Sequence, residues 1–465
     1  MDLSQAVFSF KEILSNSNSN KEKFNGVIRV ITHIDTDGLM AGSIMCKALK
    51  KIDCNFWISA VKQLEEPFLT QMVTEAREQK WPAVFFLDLG SGNLETIAKI
   101  SEYSRVFILD HHEIQDYDKI KDKANIILAN PMISNKEKIS GAGVTYLFCK
   151  ELNKNNKDLA QFAVLGMIGD LMDKEKDKRS NEIFEDAREN GMQIKKGLTI
   201  FAGTRPIHKA LEYSYSVFIP GVTGSCDGAY KFVDELSIKI KDERGYRTMV
   251  DLNEDEMSRL ITAILLKRIG EGHNQDILGN VYLMKFYGHL FDGRELSAMI
   301  NACGRLGQAE LALAFALGSS EAKDQVETIY AKYKQHIIKS LNWIYENEKI
   351  QGNNYIIVNA RNAIKDTIIG TVTSILASSS VYPKGTVLVG LAYREDDKIK
   401  VSARLSGSNI ENNNNLFNLL KNIVGDIGGE VGGHANAAGC LINKSQENIF
   451  LDSLQKTMSL QQIKI

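Results

Sequence analysis

Three short apolar runs in the first 112 residues each lead directly into acidic residues. The first run starts at Val27 and leads to Asp35 and Asp37, the second ends at Asp88, and the third ends at Asp110. Runs of this length, rich in Val, Ile, Phe and Leu, predict buried strands of a parallel sheet. Functional groups in such sheets collect at the carboxyl ends of the strands, so we expect these acidic side chains to lie close together.

A cluster of carboxylates and imidazoles at one edge of a sheet is not a packing motif. Unpaired like charges repel each other strongly where water is partly excluded. Divalent cations remove this repulsion, and two cations roughly 3.5–4 Å apart can also activate a water and stabilise the charge that develops during phosphodiester hydrolysis. The pattern therefore predicts a two-metal phosphoesterase.

Apolar periodicity predicts how the rest of the chain is organised. Up to about residue 130, strand-like runs alternate with helical ones, which is typical of an α/β fold with a doubly wound, mainly parallel sheet. From about 190 to 320 helical periodicity dominates, residues 321–349 predict one long helix, and the remaining residues mix strands with helices. Because single cores rarely grow beyond ~250–300 residues, we predict a first domain over 1–190, an inserted, mainly helical domain over 191–320, a connecting helix within 321–351, and a mixed α/β domain over 352–465.

The acidic motifs occur in an order that is typical of one enzyme superfamily. Together, His33-x-Asp35-x-Asp37-Gly38, Asp88, Asp110-His111-His112 and Gly169-Asp170 resemble the four motifs of the DHH phosphoesterases. Near the other end, the run Gly-Gly-His-Ala-Asn-Ala-Ala-Gly from Gly432 to Gly439 resembles the signature of the DHHA1 domain. The chain is most similar to archaeal RecJ-like exonucleases, a group that includes the GINS-associated nuclease. The resemblance implies a DHH catalytic domain over 1–190 and a DHHA1 substrate-binding domain over 352–465.

The resemblance also implies which residues hold metal. Asp35 and Asp88 would hold one ion, and Asp37, Asp88, His111 and Asp170 would hold the other, so that Asp88 bridges the two. Carboxylate and imidazole ligands without a thiolate favour two Mn²⁺ ions, with Mg²⁺ as the alternative.

Three further residues of these motifs are candidates for the site. His112 would contact the scissile phosphate and assist the leaving oxygen, and Asp110 would orient a histidine. His33 lies two residues before Asp35, whereas small-molecule members of the superfamily place this histidine four residues before the Asp-x-Asp pair. We keep His33 as a candidate metal ligand whose loss is milder than that of His111.

The C-terminal region carries the candidate substrate contacts. Six glycines between residues 425 and 439 predict a loop, followed by a helix N-terminus, whose backbone N–H groups can approach a phosphate. The strand predicted over 398–405 alternates apolar and polar residues, and its polar face would meet a backbone phosphate. The candidate binding residues are Ser402, Arg404, Gly432, Gly433, His434 and Asn436.

Composition limits the class of protein without identifying a substrate. The net charge of −2 argues against a surface coated with positive charge but allows a local basic groove.

No run approaches the ~18 apolar residues that span a membrane, and the N-terminus lacks the features of a signal peptide. Six scattered cysteines without a C-x-x-C pair predict buried free thiols. We therefore expect a cytoplasmic protein without a membrane partner.

The function that we predict is metal-dependent exonuclease activity on single-stranded DNA or RNA, in DNA replication or repair. One alternative is a phosphodiesterase for short oligonucleotides or cyclic dinucleotides, although such members of the superfamily usually lack an insert of this length. Another is a replication-complex scaffold with little activity, like the eukaryotic helicase subunit that is related to RecJ, in which the metal ligands have decayed. The resemblance alone implies the GINS replication complex as a partner. Strand polarity and the choice between DNA and RNA stay open.

Overall fold

The computed structural model describes residues 3–16, 26–133, 137–173, 177–200, 204–214, 217, 219–268, 277–378, 381–407 and 415–460. The chain forms two compact units, and each unit combines two segments of the sequence. The first unit comprises Met1–Lys196 and Asn280–Tyr330, and the second comprises Gly197–Gly279 and Ala331–Ile465.

A fully parallel, five-stranded sheet forms the centre of the first unit, with the strand order β2-β1-β3-β4-β5. Its strands are β1 (Val27–His33), β2 (Asn55–Val61), β3 (Ala83–Leu87), β4 (Arg105–Leu109) and β5 (Ile126–Ala129). Because β2 lies on one side of β1 and β3 lies on the other, the chain reverses direction across the sheet at β1. Ligands of open α/β sheets bind outside the carboxyl ends of the strands at such a switch point.

Helices cover both faces of this sheet, which confirms the doubly wound prediction. The helices of this part of the chain are α1 (Leu3–Asn16), α2 (Thr36–Lys51), α3 (Glu66–Gln79), α4 (Leu94–Ile100), α5 (Gly141–Leu152), α6 (Ala160–Gly169) and α7 (Lys178–Glu189). On one face, Phe85 and Phe107 stack with ring centroids 4.7 Å apart, and Phe10 of α1 and Phe148 of α5 pack onto Phe85 at 5.1 and 5.7 Å. On the other face, Phe86 and its neighbours pack against residues of α3 and α4. Burial on both faces explains why the strands are continuous apolar runs.

The middle of the chain combines helices with short strands. These elements are β6 (Gln193–Leu198), α8 (Ile207–Glu212), α9 (Cys226–Glu235), β7 (Lys241–Asp242), β8 (Gly245–Tyr246), α10 (Glu254–Lys267), β9 (Leu278–Phe286), β10 (His289–Asp292), α11 (Gly293–Arg305), α12 (Ala309–Leu317) and α13 (Ser320–Glu346). Individual buried residues between Leu198 and Ile277, among them Ile207, Phe232 and Leu260, share a hydrophobic core. The helical insert is therefore confirmed, although the small sheet β10-β9-β6 and the β7–β8 hairpin were not predicted.

The C-terminal part of the second unit is a six-stranded mixed sheet with the order β11-β12-β13-β14-β16-β15. Its elements are β11 (Ile350–Gly352), β12 (Tyr355–Arg361), α14 (Asp366–Ser378), β13 (Val387–Tyr393), β14 (Lys398–Leu405), α15 (Leu416–Ile427), β15 (Glu430–His434), β16 (Ala437–Asn443) and α16 (Glu447–Leu460). The strand predicted over 398–405 is confirmed as β14.

The prediction of a glycine-rich loop is wrong. The segment forms the antiparallel pair β15 and β16, in which Gly432 is paired with Gly439 and Gly433 with Ala438. Helix α15 ends at Ile427, before five of the six glycines, and the next α-helix among the described residues, α16, begins only after β16. Backbone hydrogen bonds to β16 hold the glycines in place.

The four-part domain division stays a prediction. The long helix expected over 321–349 is α13, and one boundary between the two units along the chain falls inside this helix, after Tyr330. Within the described ranges, none of the helices combines the length and the apolar character needed to cross a bilayer.

Candidate metal centre

The turn between β1 and α2 fixes the first carboxylate. Asp35 is the N-cap of α2 and accepts a hydrogen bond from the Gly38 amide at 3.0 Å. A Cβ at Gly38 would lie 2.5 Å from the Cβ of His33, so only glycine allows this turn to pack against the end of β1.

The second carboxylate, Asp37, is fully buried in the first turn of α2. It accepts hydrogen bonds from the Gly141 and Ala142 amides, at 2.6 and 3.1 Å, at the N-terminus of α5. The N-cap of α5, Ser140, accepts a hydrogen bond from the Gly143 amide. Free N–H groups and the helix dipole at this end favour a negative charge, so α5 anchors one acidic residue of the cluster.

Asp88 follows β3 and has a left-handed backbone with φ +59°. Its amide donates to the Leu109 carbonyl at 2.9 Å, which continues the pairing of β3 with β4. A Cβ on Gly141 would lie 2.6 Å from the Cβ of Asp88, so glycine permits α5 to approach. Both carboxylate oxygens of Asp88 are buried and have no hydrogen-bond partner. A buried carboxylate in this state is costly unless a cation compensates it.

The Asp110 carboxylate is held by its surroundings. It accepts hydrogen bonds from the Ser91 amide at 2.9 Å, the His111 amide at 2.8 Å and the His112 ring Nδ1 at 2.8 Å. Burial alone would raise the pKa of Asp110, but the hydrogen bond and charge of His112, the charge of His111 and the Ser91 amide together hold this pKa well below its usual range. The His112 side chain is 55% exposed. Asp110 therefore orients His112 through Nδ1, which leaves Nε2 as the ring atom that a ligand could meet.

His111 lies at the middle of the cluster. Its Nε2 is 3.2 Å from one oxygen of Asp88, 3.2 Å from one oxygen of Asp170 and 3.8 Å from one oxygen of Asp37. Asp170 reaches this position as the C-cap of α6. Burial would lower the pKa of His111, but these carboxylates raise it well above the ordinary value.

The carboxylates repel one another as the sequence predicts. Burial raises the pKa values of Asp37 and Asp170, and the charge of Asp88 raises both further. Protons would therefore occupy part of the cluster in the absence of a cation, and metal binding would displace them.

His33 is closer to the cluster than its spacing in the sequence suggests. Its Nδ1 lies 2.9 Å from Asp35 Oδ2 and 3.6 Å from Asp88 Oδ2 but makes no hydrogen bond of acceptable geometry. Its Nε2 lies 3.2 Å from the Lys62 carbonyl. Metal-binding histidines usually donate their second ring N–H to such a carbonyl, which directs the other nitrogen towards the metal.

These side chains form three overlapping groups in which the potential ligand atoms lie within 4.8 Å of one another. The groups are His33 with Asp35 and Asp88, Asp37 with His111 and Asp170, and Asp88 with His111 and His112. Nitrogen and carboxylate oxygen are the ligand types that Mn²⁺ accepts, and several of the atoms are buried without a hydrogen-bond partner. The residues therefore fit a pair of divalent cations.

Helix α11 approaches the same region, which the sequence does not predict. Thr36 Oγ1 donates to the Ser297 carbonyl at 2.8 Å, and a Cβ on Gly304 would collide with the Ile34 carbonyl. Burial would raise the pKa of Asp35, but His33, the Gly38 amide and, least of the three, the charge of Arg305 on α11 hold this pKa well below its usual range. Only the spacing of polar residues along α11 could have indicated a polar face, and nothing in the sequence shows where that face packs.

The candidate substrate residues lie together in the second unit, on β14 and the neighbouring β15–β16 hairpin. The Arg404 guanidinium donates to Ser374 Oγ at 2.9 Å and to the Ala403 carbonyl at 2.8 Å. Ser402 is only 3% exposed. Asn436 is exposed in the hairpin turn, and the side chain of His434 lies outside the described part of the structure. The binding roles of these residues stay predictions.

Comparisons with known proteins match three parts of the chain to family models. Residues 27–169 match the N-terminal domain of the DHH family, residues 202–281 the DHH-CID domain, and residues 352–460 the DHHA1 domain. The uncharacterized protein MJ0831 of Methanocaldococcus jannaschii is 30% identical over 338 residues, which cover 71% of this chain and 74% of that protein. The chain belongs to the DHH family.

Solved structures show the same architecture. RecJ from Thermus thermophilus in complex with Mn²⁺ matches 98% of this chain with a TM-score of 0.60 and 16% identity, and this chain spans 54% of that protein. An exonuclease RecJ bound to manganese matches with a TM-score of 0.59 and 17% identity, covering 99% of this chain and 94% of that one. CDC45 from Entamoeba histolytica matches with a TM-score of 0.64 and 14% identity, covering 97% of this chain and 98% of that one. This DHH-family chain therefore has the RecJ-like phosphoesterase fold.

Proposed function

We propose that this protein is a metal-dependent exonuclease that hydrolyses phosphodiester bonds of single-stranded DNA or RNA with two divalent cations. The observation that carries the proposal is the pair of ligand groups on either side of Asp88, whose two carboxylate oxygens are buried and without a hydrogen-bond partner. One oxygen lies near His33 and the other near His111. A carboxylate with one oxygen towards each group can bridge two ions.

His33, Asp35 and Asp88 would hold one cation, and Asp37, Asp88, His111 and Asp170 would hold the other. When bound, two such ions supply an activated water and stabilise the charge that develops on the phosphate. The ligand types favour Mn²⁺, and Mg²⁺ is the alternative. The manganese in two RecJ structures of the same fold supports this choice.

His112 would donate a proton to the leaving oxygen. Its hydrogen bond to Asp110 raises the pKa of His112, which favours the protonated ring near neutral pH. The 55% exposure of the side chain leaves it accessible to a substrate. Asp110 is a positioning residue in this scheme because its oxygens contact Ser91, His111 and His112.

The β15–β16 hairpin and the adjacent Arg404 would bind the phosphate backbone. Nothing lies within 4 Å of the place where a Cβ on Gly432 would stand, so a ligand can approach this backbone closely. The pairing of Arg404 with Ala437 places the guanidinium beside the hairpin. Asn436 in the turn adds an exposed amide.

A role in replication rests on the likeness to CDC45, whose fold this chain shares with a TM-score of 0.64. That likeness favours a second function as a component of a replication complex. The GINS complex stays the predicted partner. The intact ligand set argues that any such role accompanies catalysis.

The deciding experiment is digestion of single-stranded DNA and RNA that carry a label at the 5′ or the 3′ end, with duplex DNA as a comparison. We expect Mn²⁺-dependent release of mononucleotides from one end, loss of activity in excess chelator, and recovery when Mn²⁺ is restored. Full activity after exhaustive chelation would contradict the two-metal mechanism. Release of long internal fragments would contradict exonuclease action.

A further inference from the structure

The residue after Asp170 has an unusual backbone. Leu171 has φ +58° and closes helix α6, where its amide donates to the Ile168 carbonyl at 3.2 Å and the next amide, of Met172, donates to the Met167 carbonyl at 2.8 Å. This pair of hydrogen bonds is the Schellman motif, in which glycine is preferred at the left-handed position because a Cβ is strained there. A leucine at this position destabilises the helix end.

Leu171 is also exposed, with 78% of its surface accessible. Among the described residues, nine that are not glycine have a left-handed backbone, and only Leu171 and Tyr287 of these have an apolar or aromatic side chain. The Tyr287 side chain has internal contacts that compensate for the strain: its hydroxyl donates to the Ala316 carbonyl and its ring packs on Phe315 at 6.0 Å. The side chain of Leu171 is largely exposed, so packing against the rest of the protein does little to compensate for the backbone strain.

Leu171 lies directly beside a residue of the candidate metal centre. Asp170 lies 3.2 Å from His111 in one of the two ligand groups, and consecutive Cα atoms are only ~3.8 Å apart. A phosphate at that group would therefore have its sugar and base within reach of the leucine. Asp88, in the same centre, is another of the strained residues, and strain of this kind concentrates at functional sites.

We propose that Leu171 is a substrate-contacting residue that packs against the base of a nucleotide next to the scissile phosphate. The inference rests on the proposed exonuclease function and adds an apolar contact to the polar ones already assigned. An aliphatic contact of this kind accepts any base, so it would favour unpaired nucleotides without reading their sequence.

The test uses the full-length chain with three substitutions at this position. Leu171→Gly and Leu171→Asn both suit a left-handed backbone but remove the apolar side chain, whereas Leu171→Met retains it. For Leu171→Gly and Leu171→Asn we expect KM for a single-stranded oligonucleotide to rise about five- to tenfold, as for an apolar side chain that loses part of its burial, with kcat within about twofold. Leu171→Met should stay within about twofold of wild type in KM. The Tm of Leu171→Gly should equal or exceed that of the wild type by up to about 2–4 °C.

Lys80 provides the matched control. It is the left-handed C-cap of α3, with φ +48°. It precedes β3 and therefore lies near the amino ends of the strands, whereas the metal centre lies at their carboxyl ends. Lys80→Gly should give a similar change in Tm without a change in KM.

Substrates with a single abasic nucleotide identify the contact. At one position near the cleaved end, loss of the base should remove the difference in KM between wild type and Leu171→Gly, and at other positions the difference should persist. An unchanged KM in Leu171→Gly, or a difference that persists at every abasic position, would overturn the inference. If the wild type hydrolyses bis(p-nitrophenyl) phosphate but no oligonucleotide, the exonuclease proposal itself fails, and this inference fails with it.

Discussion

The metal centre concentrates charge that the surrounding residues only partly compensate. Backbone amides at the start of α5 stabilise Asp37, and those near β4 stabilise Asp110. Within the described residues, the oxygens of Asp88 have only the rings of His33 and His111 nearby and accept no hydrogen bond of acceptable geometry. The Asp88 carboxylate can therefore contribute to metal binding, but it lowers the stability of the metal-free fold because its charge repels the other buried carboxylates. The contrast among these three aspartates supports a different role for each.

Asp88→Asn should abolish hydrolysis and leave the fold intact. Asparagine tolerates the left-handed backbone at this position but removes the charge that would bridge two cations. We expect the single-turnover rate with Mn²⁺ to fall by at least about 10²–10³-fold, and the Tm of the metal-free protein to stay unchanged or rise. Asp53→Asn is the control, because Asp53 has the same backbone conformation, with φ +55°, but lies outside the ligand groups. More than a few per cent of wild-type activity in Asp88→Asn would show that the bridge is assigned wrongly.

His111→Ala should lose more metal than His33→Ala. His111 belongs to two of the three ligand groups, whereas His33 belongs to one. The quantity to measure is the number of Mn²⁺ ions bound per chain, by elemental analysis after gel filtration. Equal occupancy in the two variants would refute this order.

The secondary-structure elements show where sequence patterns succeed. The runs at 83–87 and 105–109 predict β3 and β4 without error, because strands buried on both faces need continuous apolar residues. The half-exposed edge strand β2 was not predicted, since its accessible residues interrupt the apolar run. The glycines of β15 predicted a loop because the hydrogen bonds that hold them as a strand come from β16, and local composition does not show such pairing.

Two adjacent glycines in β15 should respond differently to alanine. Gly433 has φ +119°, and a Cβ there would collide with the Ala437 carbonyl, so Gly433→Ala should destabilise the second unit by roughly 1–3 kcal/mol. Gly432 has open space at its Cβ position, so Gly432→Ala should leave Tm unchanged. If the hairpin binds phosphate through its backbone, Gly432→Ala should still weaken binding of a labelled single-stranded oligonucleotide. Wild-type affinity in this stable variant would remove Gly432 from the binding surface.

Glu256 of helix α10 forms a pH-dependent ion pair with Arg247. Arg247 donates to both oxygens of Glu256, at 2.8 and 2.6 Å, and this contact lowers the pKa of Glu256 to about 2. A lowered carboxylate pKa stabilises the folded state fully above the unfolded value of about 4.5, and the contribution is lost as the pH falls towards 2. Glu256→Gln keeps a side chain that can complete the capping box with Asn253, so it isolates the ion pair.

Glu256→Gln should therefore lower the free energy of unfolding by about 1.5–3 kcal/mol at pH 7. Urea unfolding at several pH values should show a constant difference from wild type above pH 4.5 that shrinks between pH 4.5 and 2. A difference that does not change with pH would mean that the charge of Glu256 is unimportant.

In the molecule as a whole, the residues of the metal centre come from widely separated parts of the chain. The order of the acidic motifs predicts that Asp35, Asp88 and Asp110 share one edge of the sheet, because the carboxyl ends of parallel strands are neighbours. Sequence patterns do not predict the approach of α11, since that contact joins Thr36 to Ser297 across more than two hundred intervening residues. Periodicity shows which face of a helix is buried but not its partner, so long-range packing of this kind requires the structure.

Mn²⁺ should stabilise the first unit specifically. A cation that binds only the folded centre raises stability by RT ln(1 + [L]/Kd), which is about 2.7 kcal/mol at one hundred times Kd. Hydrogen exchange followed by mass spectrometry, with and without Mn²⁺, can locate this effect along the chain. Peptides that cover residues 27–38, 84–92, 105–112 and 141–170 should gain protection, whereas the β15–β16 hairpin should not, because the ligand groups contain no residue of the second unit. In Asp88→Asn the gain should largely disappear, since two of the three ligand groups contain Asp88. Equal protection of both units in the wild type would mean that the cation acts on the whole chain, and that the centre is not the main site of binding.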